Sequence, residues 1–427
     1  MTKGTFSWIN KNLNIKTMKT MKIFWVILMC VIGSLLITSC EKKEVSKGMT
    51  PINLDKRSEQ IVKNSNIFGF DLFRETVKTT EKGPNVCISP LSVTLALAMT
   101  YNGANGQTET AMEDALRFQG LTTEQINTSL KFLTGELVNV DDKIKLSIAN
   151  SIWYRADFFV EPTFIDVNKN YYDAEVSDLD FSSPEAPAII NNWIDSKTNH
   201  LIPEMIESIP ADAVMYLINA IYFKGTWVYE FNKSETTDRA FYLEDGTFKN
   251  VPTMSQKADL YYYANEKYQA VDLYYGSGNF SMVILLPNGA IDSIINQLND
   301  EMWNNMINSF TKQEVNLILP KFKFEFRDSF NKELSDMGMG IAFSEFADFT
   351  KINQMGGLYI SKVDHKTIID VNEEGSEAAA VTVVEVAYNS VPDDLCFYVN
   401  RPFLFAIKER STNAILFLGK VAEPVYN

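Results

Sequence analysis

Residues 371–392 read VNEEGSEAAAVTVVEVAYNSVP, and this stretch is the most informative in the chain. With a period of two, one face holds only small or apolar side chains: Ser376, Ala378, Ala380, Thr382, Val384 and Val386. The opposite face carries both charges of the run, at Glu377 and Glu385. A strand that buries one face and exposes the other has this pattern.

Three consecutive alanines, Ala378 to Ala380, argue against a strand that is permanently paired in a sheet. Alanine is a poor strand former and offers little side-chain area to hold a strand in place. Gly375, just before these residues, can serve as a hinge because glycine tolerates unusual backbone angles. Two interpretations remain open: an ordinary strand behind an acidic turn, or a mobile loop that later inserts into a sheet.

The second interpretation is favoured because the segment resembles the reactive-centre hinge of inhibitory serpins. The matching residues are Glu373, Glu374, Gly375, Ser376, Glu377, Ala378, Ala379 and Ala380. Four further blocks also resemble that family: NVCISPLS from Asn85, NAIYFKGTW from Asn219, LPKFKF from Leu319, and the tail NRPFLF from Asn400 with FLGKV from Phe417. Inhibitory serpins keep the inward face of the hinge small so that it can enter a packed sheet.

The resemblance implies an α+β serpin fold: a large central, mostly antiparallel sheet, two further sheets, a bundle of helices and an exposed reactive-centre loop. It implies one domain, although a length of 427 residues alone would favour two. Period-two runs at 280–284 and 315–324 predict strands, and helical spacing is clearest at 61–77. Either Ser89 or Ser92 is expected to cap a helix.

The N-terminus is predicted to be a signal peptide, residues 1–39, rather than part of the fold. Its apolar run, 23–37, is too short for a transmembrane helix. The residues LITSC, ending at Cys40, resemble a bacterial lipoprotein box, which implies lipidation of Cys40. Residues 40–56 would then be a lipidated tether and residues 57–427 the serpin domain. A plain secretory signal is the alternative.

Export across the inner membrane and anchoring in the outer membrane follow from this interpretation, with periplasmic and surface orientations both open. The chain carries a net charge of -15, and about -20 once residues 1–39 are removed. This balance argues against nucleic acid or anionic lipid as a partner. We expect a monomer that contacts the membrane only through its lipid.

An enzyme is not expected, nor is a cofactor or a metal ion. The sequence has two histidines, no Gly-x-Ser-x-Gly elbow, no zinc-like Cys/His spacing and no glycine-rich phosphate loop. A serine and a histidine side by side could be misread as nucleophile and base. The resemblance instead implies a network where the main sheet opens, formed by Ser89, Ser92, Asn219, His365, Trp227 and Lys321, with Lys321 paired to Glu373.

The implied activity is suicide-substrate inhibition of serine endopeptidases, with cysteine endopeptidases as a second target class. Family spacing from Gly375 places the scissile bond between Asn389 and Ser390, which suits asparagine-directed proteases. A shift to Tyr388 would suit chymotrypsin-like enzymes, and cleavage after Ala387 or Val386 would suit elastases. The alternative function is a non-inhibitory, surface-binding lipoprotein that retains the fold.

Overall fold

The computed structural model describes residues 48–80, 85–376 and 395–426. The predictions for the signal peptide, for Cys40, for Glu377 to Ala380 and for the reactive bond lie outside these residues. Within them, no helix has the length and apolar character needed to cross a membrane.

Helices and strands occur partly in separate runs along the chain, as in an α+β fold. The helices are α1 (Lys56–Thr79), α2 (Pro90–Tyr101), α3 (Gly106–Ala115), α4 (Thr123–Asn139), α5 (Pro162–Tyr172), α6 (Ala186–Lys197), α7 (Ile291–Ile295), α8 (Asp300–Ser309) and α9 (Asn331–Leu334). Short 3-10 or π turns cover Lys233–Glu235, Ser335–Met339 and Gly340–Phe343. The strands are β1 (Val86–Ile88), β2 (Lys145–Arg155), β3 (Glu175–Leu179), β4 (Met215–Thr226), β5 (Thr237–Tyr242), β6 (Phe248–Ala264), β7 (Tyr268–Tyr275), β8 (Phe280–Pro287), β9 (Thr311–Pro320), β10 (Phe322–Ser329), β11 (Asp364–Val371), β12 (Gly375–Ser376), β13 (Cys396–Tyr398), β14 (Phe403–Glu409) and β15 (Ile415–Val421).

Among the described residues, the main sheet has six strands in the order β10-β11-β12-β4-β2-β3. Its pairings are antiparallel except for that between β2 and β3. Because β12 is antiparallel to both of its neighbours, β11 and β4 run parallel to each other. The end of the sheet that contains β12 is called the upper end below.

The remaining strands form a nine-stranded sheet, with β5 paired to β6 beside the path β1-β15-β14-β8-β7-β6-β9-β13. The two further sheets expected from the sequence are therefore continuous in the described residues. The continuity comes from β6, whose 17 residues pair with β5 and β9 and, over the last four, with β7.

The step from β1 into α2 contains the predicted helix cap. Ser89, not Ser92, caps α2: its Oγ accepts a hydrogen bond from the Ser92 N–H at 3.3 Å, and Pro90 occupies the first turn. Nearly every residue of α2 is buried, because the helix packs against α1, β4 and β15 at once. This central helix lies directly beneath the main sheet.

The described part of the expected tether, residues 48–55, is attached to the folded body. The Thr50 N–H donates to Asn279 Oδ1 at 3.2 Å, and the Ile52 N–H donates to Ser411 Oγ at 2.9 Å. Asp55 then caps α1 by accepting from the Ser58 N–H at 2.8 Å. The fold therefore extends several residues N-terminal of position 57.

Candidate functional site: a slot in the main sheet

The site is the gap between β4 and β11 below β12, which we call the slot. Ser376 pairs with Val371 on one side and Gly225 on the other, and Gly375 pairs with Thr226. Below these residues no described backbone pairing joins β4 to β11. A cavity of about 380 Å³ lies there, lined by both strands and by α2. In the part of the chain that the structure describes, the sheet is thus open between these two parallel strands.

Glycine is the only residue type that fits position 375, at the upper end of the slot. Its φ of 151° lies in the range that side chains disfavour, and a Cβ would overlap the Gly225 carbonyl oxygen. The same Cβ would lie 2.8 Å from the Thr226 Cα. Any side chain here would push β12 away from β4.

Ser376 points into the core and is bonded there. Its side chain is buried, and its Oγ lies 2.7 Å from the hydroxyl of Tyr275. Burial raises the pKa of Tyr275, so the phenol stays protonated and can donate. Trp227 stacks on Tyr275 with ring centroids 4.2 Å apart, and the Trp227 indole N–H donates to the Asn372 carbonyl at 3.0 Å. Ser376, the first residue on the face that holds only small or apolar side chains, therefore lies in a closed, apolar environment.

Glu373 anchors the chain just before β12. Its carboxylate lies 2.9 Å from Lys321 Nζ, with side chains only 6% and 16% exposed, and accepts from Thr236 Oγ1 at 2.7 Å. Burial acts to raise the pKa of Glu373, but the hydrogen bonds from Thr236 and Lys321 outweigh it and leave the pKa below its usual value. The carboxylate is therefore charged and paired at neutral pH.

Glu374 is held less completely. One carboxylate oxygen pairs with Lys233, whereas Oε2 is buried without a hydrogen-bond partner among the described residues. Its backbone carbonyl accepts from the Trp227 N–H at 2.8 Å. Burial, followed by the charge of Glu374, raises the pKa of nearby Glu230. These contacts fix the chain on the side of β4.

His365 lies lower in the slot and acts as an acceptor. Its Nε2 accepts from the backbone N–H of Ser89 at 3.1 Å, and Phe330 stacks on the ring at 5.1 Å. Complete burial lowers the pKa of His365 to about 3, so the imidazole is neutral. The Ser89 hydroxyl is engaged as a helix cap, so this pair is not arranged as nucleophile and base.

Asn219 faces His365 across the slot. Gly225 and Val371 are the two strand partners of Ser376. Asn219 lies six residues before Gly225, and His365 lies six residues before Val371. Both residues, with Ser92, line the cavity. No hydrogen bond joins them in the described structure: Asn219 donates to Asn150 Oδ1 at 2.8 Å, and its own Oδ1 is buried without a partner. The side-chain Oδ1 of Asn219 therefore keeps an unused acceptor position among the described residues.

Three side chains that contact the hinge were not predicted from the sequence: Tyr275, Thr236 and Lys233. Each lies more than a hundred residues from the hinge, on a strand or turn that only the tertiary fold brings close. The local sequence around them carries no distinguishing signal.

Comparisons with known proteins agree with this architecture. The family profile described as "Serpin (serine protease inhibitor)" matches residues 63–424. A leukocyte elastase inhibitor of Sus scrofa is 33% identical over 380 residues, covering 86% of this chain and 100% of that protein. The native crystal structure of the thermophilic serpin tengpin matches with a TM-score of 0.79 at 34% identity, covering 88% of this chain and 96% of that one. Human thyroxine-binding globulin also matches with a TM-score of 0.79, at 28% identity, covering 87% of this chain and 100% of that one.

Proposed function

Because the chain belongs to the serpin family, we propose that it is a suicide-substrate inhibitor of serine endopeptidases, with cysteine endopeptidases as further targets. The observation that carries this proposal is the position of Gly375 and Ser376, which are already paired at the upper end of a slot where no other described strand lies. A strand that continues from Ser376 would complete the main sheet.

The burial of Ser376 supports one choice of the face of that strand that would enter the core. Alternate residues of a strand share a face, so Ala378, Ala380, Thr382, Val384 and Val386 would follow Ser376 inward. All of them are small or apolar, and the charges of the run fall on the opposite face. The sequence after the hinge therefore suits insertion without burial of an unpaired charge.

In the proposed reaction the protease nucleophile attacks the carbonyl of the scissile residue and forms an acyl-enzyme. The amine of the next residue leaves with the C-terminal peptide, which frees the new end of the loop. Insertion of the strand then carries the attached protease along the main sheet. Each new backbone hydrogen bond is worth on the order of 1 kcal/mol, and each buried valine about 1–3 kcal/mol. For about ten residues the total is comparable with the stability of a protease domain.

The scissile bond is proposed between Asn389 and Ser390, with Tyr388 as the alternative residue before the cut. An asparagine-directed enzyme would use the first site and a chymotrypsin-like enzyme the second. The similarity to a leukocyte elastase inhibitor gives reason to test elastases as well, with cleavage after Ala387 or Val386. We further propose that Cys40 carries a lipid anchor, so that inhibition takes place close to the cell envelope.

The test is incubation with elastase-, chymotrypsin- and asparagine-directed proteases, followed by SDS gels and mass spectrometry. We expect an SDS-stable adduct whose mass is the sum of both proteins less the C-terminal peptide, and the released peptide identifies the bond. An active-site-blocked protease is the matched control and should give no adduct. Clean cleavage by every active protease without any adduct would refute inhibition.

A non-inhibitory binding protein is the second candidate, and the cavity of about 380 Å³ is the observation that favours it. Human thyroxine-binding globulin, a similar structure, is by its name a binding protein. Under this hypothesis the loop is cut like any substrate, and a small apolar ligand retained by the intact protein would be released on cleavage.

A further inference from the structure

Residues 422–426, which follow β15 and which we call the final segment, are bonded to the folded body. The Glu423 N–H donates to Asn85 Oδ1 at 3.0 Å, and the Val425 carbonyl accepts from the Lys323 N–H at 2.6 Å. These two bonds join the final segment to the chain just before β1 and to β10. They fix where the last described side chain of the protein lies.

That side chain, Tyr426, contacts the cation that anchors the hinge. Lys321 Nζ lies 4.0 Å from the centroid of the Tyr426 ring and 2.9 Å from the Glu373 carboxylate. The Lys321 side chain is only 16% exposed, and a cation over an aromatic ring is attracted more strongly when it is withdrawn from water. Because the ammonium group of lysine sits on a flexible four-carbon stem, the ring also restricts where this group can lie.

Glu373 and the next residue determine how firmly β12 is docked. β12 has only two residues, so it makes few contacts of its own. The chain before it is held by its carbonyl groups: the Glu373 carbonyl accepts from the Phe231 N–H at 2.9 Å, and the Glu374 carbonyl accepts from the Trp227 N–H at 2.8 Å. A segment with so few contacts opens more often when one of its anchors is weakened.

We propose that Tyr426 is a positioning residue for the hinge: its ring holds the Lys321 ammonium group against the Glu373 carboxylate and thereby keeps β12 docked. The consequence for inhibition rests on the proposed function, because docked β12 is the end from which the inserted strand would extend. Without the ring, Lys321 samples other rotamers and β12 leaves the slot more often. Insertion then starts later, and hydrolysis of the acyl-enzyme by water competes more successfully.

The test uses three variants of the full chain. Tyr426→Leu keeps an apolar side chain but removes the ring, Tyr426→Phe keeps the ring, and Val425→Ala changes the exposed neighbour as a control. The first measurement is hydrogen exchange of the Trp227 and Phe231 amides in the intact protein, since their acceptors are carbonyl groups of the hinge. We expect about fivefold faster exchange in Tyr426→Leu and rates within about twofold of wild type in the other two variants.

The second measurement is the ratio of cleaved protein to SDS-stable adduct after reaction with a protease that the wild type inhibits. We expect this ratio to rise about fivefold in Tyr426→Leu and to return to the wild-type value in Tyr426→Phe. Lys321→Met combined with Glu373→Gln gives a background without the ion pair. Adding Tyr426→Leu to this background should change neither measurement, because no cation remains for the ring.

Each other outcome counts against the inference. Wild-type exchange in Tyr426→Leu would overturn the positioning role, as would a phenylalanine variant that behaves like the leucine variant. An effect that persists without the ion pair, or that appears equally in Val425→Ala, would also overturn it. Faster exchange with an unchanged ratio would overturn the link to insertion. If wild type forms no adduct with any protease, the proposed function falls, whereas amide exchange still decides whether Tyr426 positions the hinge.

Discussion

Ser376→Arg is the substitution that best separates the two faces of the hinge. Ser376 is only 3% exposed and its hydroxyl is bonded to Tyr275, so arginine would place a guanidinium in an apolar site. Burial of an unpaired charge costs several kcal/mol, and the Tyr275 hydroxyl would lose its partner at about 1–3 kcal/mol. The two-residue β12 would leave the slot, while the other strand pairings of the sheet remain. We therefore expect the variant to fold.

The cost falls on insertion, which competes with hydrolysis of the acyl-enzyme. If about 3 kcal/mol of this cost is added to the activation free energy of insertion, insertion slows by more than 100-fold. The assay is the number of inhibitor molecules consumed per protease inactivated, read with the ratio of cleaved protein to adduct on SDS gels. We expect cleavage at the same bond with almost no adduct.

Glu377→Arg is the matched control, one residue along and on the opposite face. Glu377→Arg changes the net charge by more than Ser376→Arg does. Because position 377 is on the opposite face of the strand, the arginine side chain would remain in solvent after insertion. We expect adduct formation within a few-fold of wild type. Equal loss of inhibition in both variants would refute the assignment of faces.

Three further predictions concern the hinge, the buried histidine and the anchor. Lys321→Ala leaves the Glu373 carboxylate buried without its cation. Urea unfolding should show that the intact protein is destabilised by up to about 3 kcal/mol. Because the pKa of Glu373 is lowered in the folded protein, this loss of stability should be present above pH about 4.5 and shrink as the pH falls. Folding lowers the pKa of His365 from 6.5 to about 3. The free energy of unfolding of the wild type should therefore rise between these two pH values, by as much as about 1.4 kcal/mol per pH unit. His365→Gln should flatten this slope, and an unchanged slope would contradict burial of the neutral imidazole. Cys40→Ala should release the protein from the membrane fraction, and persistent membrane association would rule out lipidation at that residue.

Local patterns in the sequence were enough to predict several parts of the fold. The period-two runs at 280–284 and 315–324 correspond to β8, β9 and β10, and the helical spacing at 61–77 lies within α1. These elements are predictable because apolar residues at a spacing of two favour a strand and apolar residues at a spacing of three or four favour a helix, even where, as in β8, both faces are buried. Burial of Ser376 agrees with the face assigned to it from the same periodicity.

Contacts between distant residues could not be predicted in this way. The bond from Asn219 goes to Asn150 on β2 rather than to His365, because the antiparallel register of β2 and β4 sets these two amides side by side. The choice of Ser89 over Ser92 as the cap depends on where β1 ends. Merging of the two smaller sheets depends on the full length of β6, which no local pattern reveals.

Hydrogen exchange of β4 and β11 before and after loop cleavage tests the central claim, strand insertion into the slot, most directly. In the intact protein β4 pairs with β2 on one edge, and below Gly225 its other edge has no strand partner among the described residues. Insertion would add hydrogen bonds along that edge and along the facing edge of β11. We predict that alternate amides between Ile218 and Lys224 exchange at least 100-fold more slowly in the cleaved protein. Unchanged exchange in both strands after complete cleavage would contradict insertion.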